Sequence, residues 1–157
     1  MNASNEIRGL EETQRRMQQM VSDLRGEPVM ESMRIATLLV DRDAKRNSPS
    51  DTGRLRASIT PEVTRPNLET TQGVVGSNLS YAPYVELGTR PHFPPLEALA
   101  VWAVRHGMSA YQVALSISQY GTEAVRFLED ALDMNQDEIR ELLNGSVTSI
   151  SAKANNE

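Results

Sequence analysis

The sequence predicts an α+β fold: a small antiparallel sheet, built of a hairpin and a short further strand, with a long N-terminal helix or helices before it and C-terminal helices after it. Three observations predict this. Apolar residues recur at steps of three, four and seven before residue 47 and again after residue 95. Between these stretches the period drops to two. Gly, Pro, Asn and Ser punctuate the chain at residues 47–53, 65–72 and 89–95.

Ile7, Leu10, Met17, Val21 and Leu24 form one helical stripe, with Ser4 or Asn5 as its cap and Gly26 as its stop. Pro28 suits the first position of a second helix. Val29, Met33, Ala36 and Val40 continue an apolar face to about Arg46, and Asn47-Ser48-Pro49 ends it. The sequence leaves open whether residues 26–28 break one long helix or kink it. Residues 48–53 are turn chemistry. A strand is expected over 55–63, with Leu55, Ala57, Ile59, Pro61 and Val63 on one face. Pro61 lacks a ladder donor, so this strand belongs at an edge or a bulge. A polar loop over 65–72 leads to a second strand at 73–77.

Residues 81–88 are short and mixed, with Tyr84 and Glu86 on one face at period two. Three prolines around His92 and Phe93 make a rigid turn over 89–95. Leu96, Leu99, Ala100, Ala103 and Val104 then line a helix ending at Gly107. Ser109 and Gln112 form a capping box for a helix that stops near Gly121. A segment with Val125, Phe127, Leu128, Ala131 and Leu132 follows. Residues 135–138 read as another capping box, opening a last helix closed by Asn144-Gly145. The expected organisation is one domain: a helical arm (1–47), a hairpin and aromatic, Pro-rich core segment (48–95), a helical part (96–145) and a flexible polar tail (146–157).

Composition narrows the function. The formal net charge is −5 and the pI about 5.1. Gripping duplex DNA by its phosphates needs a basic face, which argues against free-standing DNA binding but not against a pore that DNA slides through. Cys is absent, so no disulfide, thiolate nucleophile or Cys-based metal site exists. The N-terminal residues lack a signal-peptide layout, and no apolar run approaches the roughly 20 residues of a membrane span. No membrane association is expected.

Few side chains suggest chemistry. Asp51-Thr52-Gly53-Arg54 reads as a turn, although Arg54 and Arg56, with Arg42, Lys45 and Arg46, make the region basic. Acid on a partner subunit suits that charge better than DNA. Tyr81 and Tyr84 bury area while keeping a polar tip, which suits a core or an interface. His92 and His106 are the only histidines and are too few for a zinc site. Glu129, Asp130, Asp133, Asp137, Glu138 and Glu141 fall on the outer stripe of helical segments, as a solvated face would. No phosphate loop or serine-nucleophile signature occurs. The expectation is no catalytic residue, no cofactor and no metal.

Two motifs carry a resemblance. "DTGRLRASI" enters the hairpin, and "VGSN" followed by "YAPYVELGT" and a Pro-rich exit leaves it. Together they resemble the head–tail joining or tail-completion family of tailed bacteriophages, over roughly residues 30–143. The family's final "P-F-L-x-P-A-L" motif is here "RFLEDAL", without its prolines. The helical stretch from Pro94 through Trp102 to Gly121 is similar to an insertion that some members carry.

The resemblance implies a structural virion protein, not an enzyme: a neck ring subunit, commonly six-fold, that connects tail to capsid and lets genomic DNA pass without specific binding. Neighbouring connector and tail-tube proteins would be its partners, and the virion its location after assembly in the host cytoplasm. A closed ring needs two different complementary patches per subunit. Arg54, Arg56, Tyr81, Tyr84, Glu86, Arg90, His92 and Phe93 are the candidate interface. The rival readings are a tail terminator or connector ring and, from another class, a small nucleic-acid-binding regulator.

Overall fold

The computed structural model describes residues 3–24, 26–67 and 70–156. Helices α1 (Ala3–Leu24) and α2 (Glu27–Asn47) come first. They are two helices, separated by the extended backbone of Gly26. Pro28 sits in the first turn of α2, where its missing N–H costs nothing. Ser4 and Asn5, expected as caps, lie inside α1. The side chains of Ile7 and Leu24 lie outside the described residues. Then follow α3 (Arg54–Ser58), β1 (Ile59–Asn67), β2 (Thr70–Ser77) and α4 (Ala82–Leu87). Helices α5 (Leu96–Arg105), α6 (Ala110–Tyr120) and α7 (Phe127–Asn156) complete the chain.

The fold is α+β, with an antiparallel hairpin as its sheet. The ladder runs from Ile59 opposite Ser77 to Thr64 opposite Gln72, with an irregularity between Thr64 and Asn67. In a two-stranded sheet every strand is an edge, which accommodates Pro61. Helix α2 is the hub: it packs on α7 and carries both strands. Gly73 permits that approach, because a Cβ there would lie 2.5 Å from the Thr37 methyl. The core joins Val40 and Ala44 of α2, Leu55, Ile59, Ala82, and Phe127 and Ala131 of α7. Ile59 and Phe127 are fully buried, each side chain worth roughly 1.5–3 kcal/mol.

Three expectations for the middle of the chain change. Residues 54–58 are helical, not strand. Leu55 and Ile59 are four apart, so they share a face in either geometry, and Gly53 at φ 78° starts the turn by accepting from the Ala57 N–H. The short further strand at 81–88 is instead α4, with Pro83 in its first turn. The 65–72 loop is mostly strand, because the ladder continues past Pro66 to Asn67 opposite Thr70.

The C-terminal pieces are one helix. Neither Asn135 nor Gly145 interrupts α7, and the polar stretch expected as a tail continues it through Asn156. Ile150 and Ser146 are buried, and the hydroxyls of Ser146, Thr148 and Ser149 donate to carbonyls three or four residues back. Such bonds let polar residues sit within a helix.

Candidate assembly surface

Helix α4 is fastened to the start of α7. The Val125 and Arg126 N–H groups donate to the carbonyls of Val85 and Glu86 at 3.0 and 3.1 Å. Arg126 adopts φ 53° to turn the chain into α7. The Glu86 carboxylate then accepts the N–H groups of Leu128 and Glu129, each at 2.9 Å. A distant side chain thus caps α7, and its negative charge faces the positive end of the helix dipole. This arrangement starts α7 without the prolines of the motif that "RFLEDAL" resembles, and leaves Phe127 in the core.

A second fastening closes the base of the α5–α6 excursion. Thr89 and Thr122 exchange both backbone hydrogen bonds, at 3.0 and 3.2 Å, and their hydroxyls lie 3.0 Å apart. The flanking glycines make this clasp possible. Gly88 (φ 70°) and Gly121 (φ 73°) are left-handed, and a Cβ on them would lie 2.4 Å from the Thr122 oxygen and 2.0 Å from the Thr89 oxygen. Asp51 and Arg105 add an ion pair at 2.8 Å between the 48–53 turn and α5.

Between α4, the clasp and the excursion lies an open groove of about 900 Å³. Tyr81, Tyr84, Arg90 and His92 line it with Val85, Leu99, Ile117 and Val125. Tyr84 is 62% exposed. The His92 Nδ1 lies 2.9 Å from the Arg90 carbonyl, and its backbone N–H donates to Ile117. A second groove, of about 750 Å³, adjoins the 49–55 turn and includes Arg54 and Trp102.

The structure therefore brings Tyr81, Tyr84, Arg90 and His92 to one groove and Arg54 to the next. Arg56 is exposed, with its guanidinium 3.5 Å from the Ser48 carbonyl. Phe93 is exposed, and its ring tilts at 59° to that of Tyr111, 6.3 Å away. Glu86 has an internal task, as the cap of α7. Sequence reasoning missed the clasp and the cap. The clasp had a signal: the dipeptide Gly-Thr occurs at 88–89 and again at 121–122.

The basic run is partly neutralised within the chain. Lys45 pairs with Asp41 at 2.8 Å, and Arg42 with Asp43 at 2.9 Å. The Arg42 guanidinium, followed by the Asn135 amide, holds the Asp43 carboxyl at about 2, below its usual 3.8. On α7 the acidic side chains are exposed, with Asp137 on Arg140 and Glu129 on Arg126. Among the described residues no group of three or more His, Cys, Asp or Glu is placed to hold a metal ion. No helix among them is long and apolar enough to cross a membrane.

Residues 11–88, about half of the chain, match the family model described as "Bacteriophage HK97-gp10, putative tail-component". Over that segment the chain belongs to this family of phage tail components. No curated protein and no solved structure matches the chain. The matched segment runs from α1 to Gly88, the residue before the clasp.

Proposed function

We propose that the protein is a non-enzymatic virion component that completes the tail or joins it to the capsid, as one subunit of a hexameric neck ring through which the genome passes. The carrying observation is the groove at Tyr81, Tyr84, Arg90 and His92, left open and aromatic beside the family-matched hairpin. Tyr and Arg are the residues that most often anchor interfaces. Unpaired strand edges on the hairpin add a second adhesive surface. The net charge of −5 favours a lumen that does not hold phosphates. Neighbouring ring and tail-tube proteins are the further partners in this reading.

Electron microscopy of the purified chain, with and without tails, tests it. Wild type should form rings, and Tyr84→Ala should remain a folded monomer. Normal ring assembly by Tyr84→Ala would remove the groove from the reading. A wild-type chain absent from finished virions would remove the reading itself.

A further inference from the structure

Helix α1 presents an apolar stripe that no described residue of its own chain covers. Leu10, Met17 and Val21 follow one another at steps of seven and four, so they share one line along the helix. They are 71%, 66% and 44% exposed. The contact with the body lies to one side of this line: Met20 is half-buried, and Asp23 meets Lys153 of α7 at 3.8 Å. The stripe itself stays uncovered among the described residues. A lone helix of this length is marginal in water, so an amphipathic arm gains its order from what it packs against.

The same chain carries a concave counterpart. The two grooves beside the α5–α6 excursion share Tyr81, Val85, Leu99, Ile117 and Thr122, and so form one continuous trough. Arg54 lines one part and Arg90 the other, with Glu123 in the same part as Arg90; among the described residues none of these side chains has an ion-pair partner, whereas Asp51 and Arg105 pair with each other. On α1 the charged residue bordering the stripe is Glu11, exposed and outside any ion pair among the described residues, whereas Glu12 and Arg16 pair with each other on the far side. An apolar row edged by an unpaired carboxylate matches an apolar trough whose unpaired charges, Arg54 and Arg90 against Glu123, leave a net positive edge.

From this we infer that α1 of one copy lies in the trough of a second copy, with Leu10, Met17 and Val21 as anchors and Glu11 facing Arg54 or Arg90. This rests on the ring reading and supplies its missing half. The convex arm and the concave trough are different surfaces, so the contact is head-to-tail and repeats from copy to copy.

The chain contains no Cys, so introduced thiols report without interference. Full-length Met17→Cys chains are mixed with full-length Leu99→Cys chains and mildly oxidised; Pro91→Cys, at the exposed rim, replaces Leu99→Cys if that variant does not fold. The expected product is the mixed disulfide, in preference to either self-pair, and Glu11→Arg in the arm-bearing chain should lower its yield. Wild-type association by light scattering is measured alongside. Association with Met17→Cys self-pairs, or with no mixed product from either trough variant, would overturn the arm-in-trough contact and leave the ring standing. A wild-type chain monomeric at all concentrations would overturn both.

Discussion

The side-chain amide of Asn135, in the middle of α7, donates to Asp43 of α2 at 2.9 Å. Both residues are buried, and the same amide donates to the Ala131 carbonyl at 2.8 Å. Apolar side chains alone tolerate sliding of one helix along another, whereas a directional bond between two buried polar groups holds at one register. The pair therefore sets how α7 sits on the hub helix. Asn135→Ala removes a bond to a charged group, and the Asp43 carboxylate keeps only those from Arg42. The expected loss is about 1–3 kcal/mol, read as a lower urea midpoint with an unchanged slope.

Asp43 also links stability to acidity. Its folded value of about 2 lies below the ordinary 3.8, so the folded state binds its proton less readily than the unfolded chain. The contribution is fully present above about pH 4 and is lost as pH falls through the folded value. Urea titrations between about pH 5 and pH 2 should show stability declining in that window. Asp43→Asn should be less stable at neutral pH and flatter across the window; an equally steep decline would place the acid sensitivity elsewhere.

Glu86 caps α7 across a long sequence separation. Glu86→Ala takes away an acceptor for two amide groups and a favourable charge at a helix N-terminus, at an expected cost of about 1–2 kcal/mol. Glu86→Gln should lose less, because its oxygen still accepts. Hydrogen exchange should accelerate at Leu128 and Glu129 more than at the middle of α7.

Gly121→Ala tests the clasp. The new methyl would overlap the Thr89 oxygen, and a backbone of positive φ with extended ψ, open essentially to glycine alone, adds about 1–3 kcal/mol. The excursion should loosen while the α2–α7 body stays folded. Trp102, the only tryptophan, stacks on His106 at 4.1 Å within α5 and reports this directly. Its fluorescence should shift to the red, and proteolysis should concentrate within residues 90–121.

Local chemistry was legible in the sequence; tertiary compensation was not. Gly26 and Pro28 ended one helix and started another because both act through their own backbone. The Ser109–Gln112 capping box formed as read, with the Ser109 N–H 3.4 Å from the Gln112 oxygen. The similar pattern at Asn135 misled, because its amide is engaged by Asp43, ninety-two positions away. Tyr84 and Glu86 looked like strand neighbours at period two, because α4, six residues long, is too short to display a helical period. At the candidate surface, the aromatic residues could be named in advance. Glu86 could not be separated from them, since its partners lie beyond residue 127.

The clasp at Thr89 and Thr122 has an evolutionary consequence. Since the polypeptide leaves and re-enters the body through adjacent, paired backbones, whatever hangs between those two threonines is free to grow, shrink or be traded without realigning α2 and α7. Body and ornament can thereby change in length independently of each other.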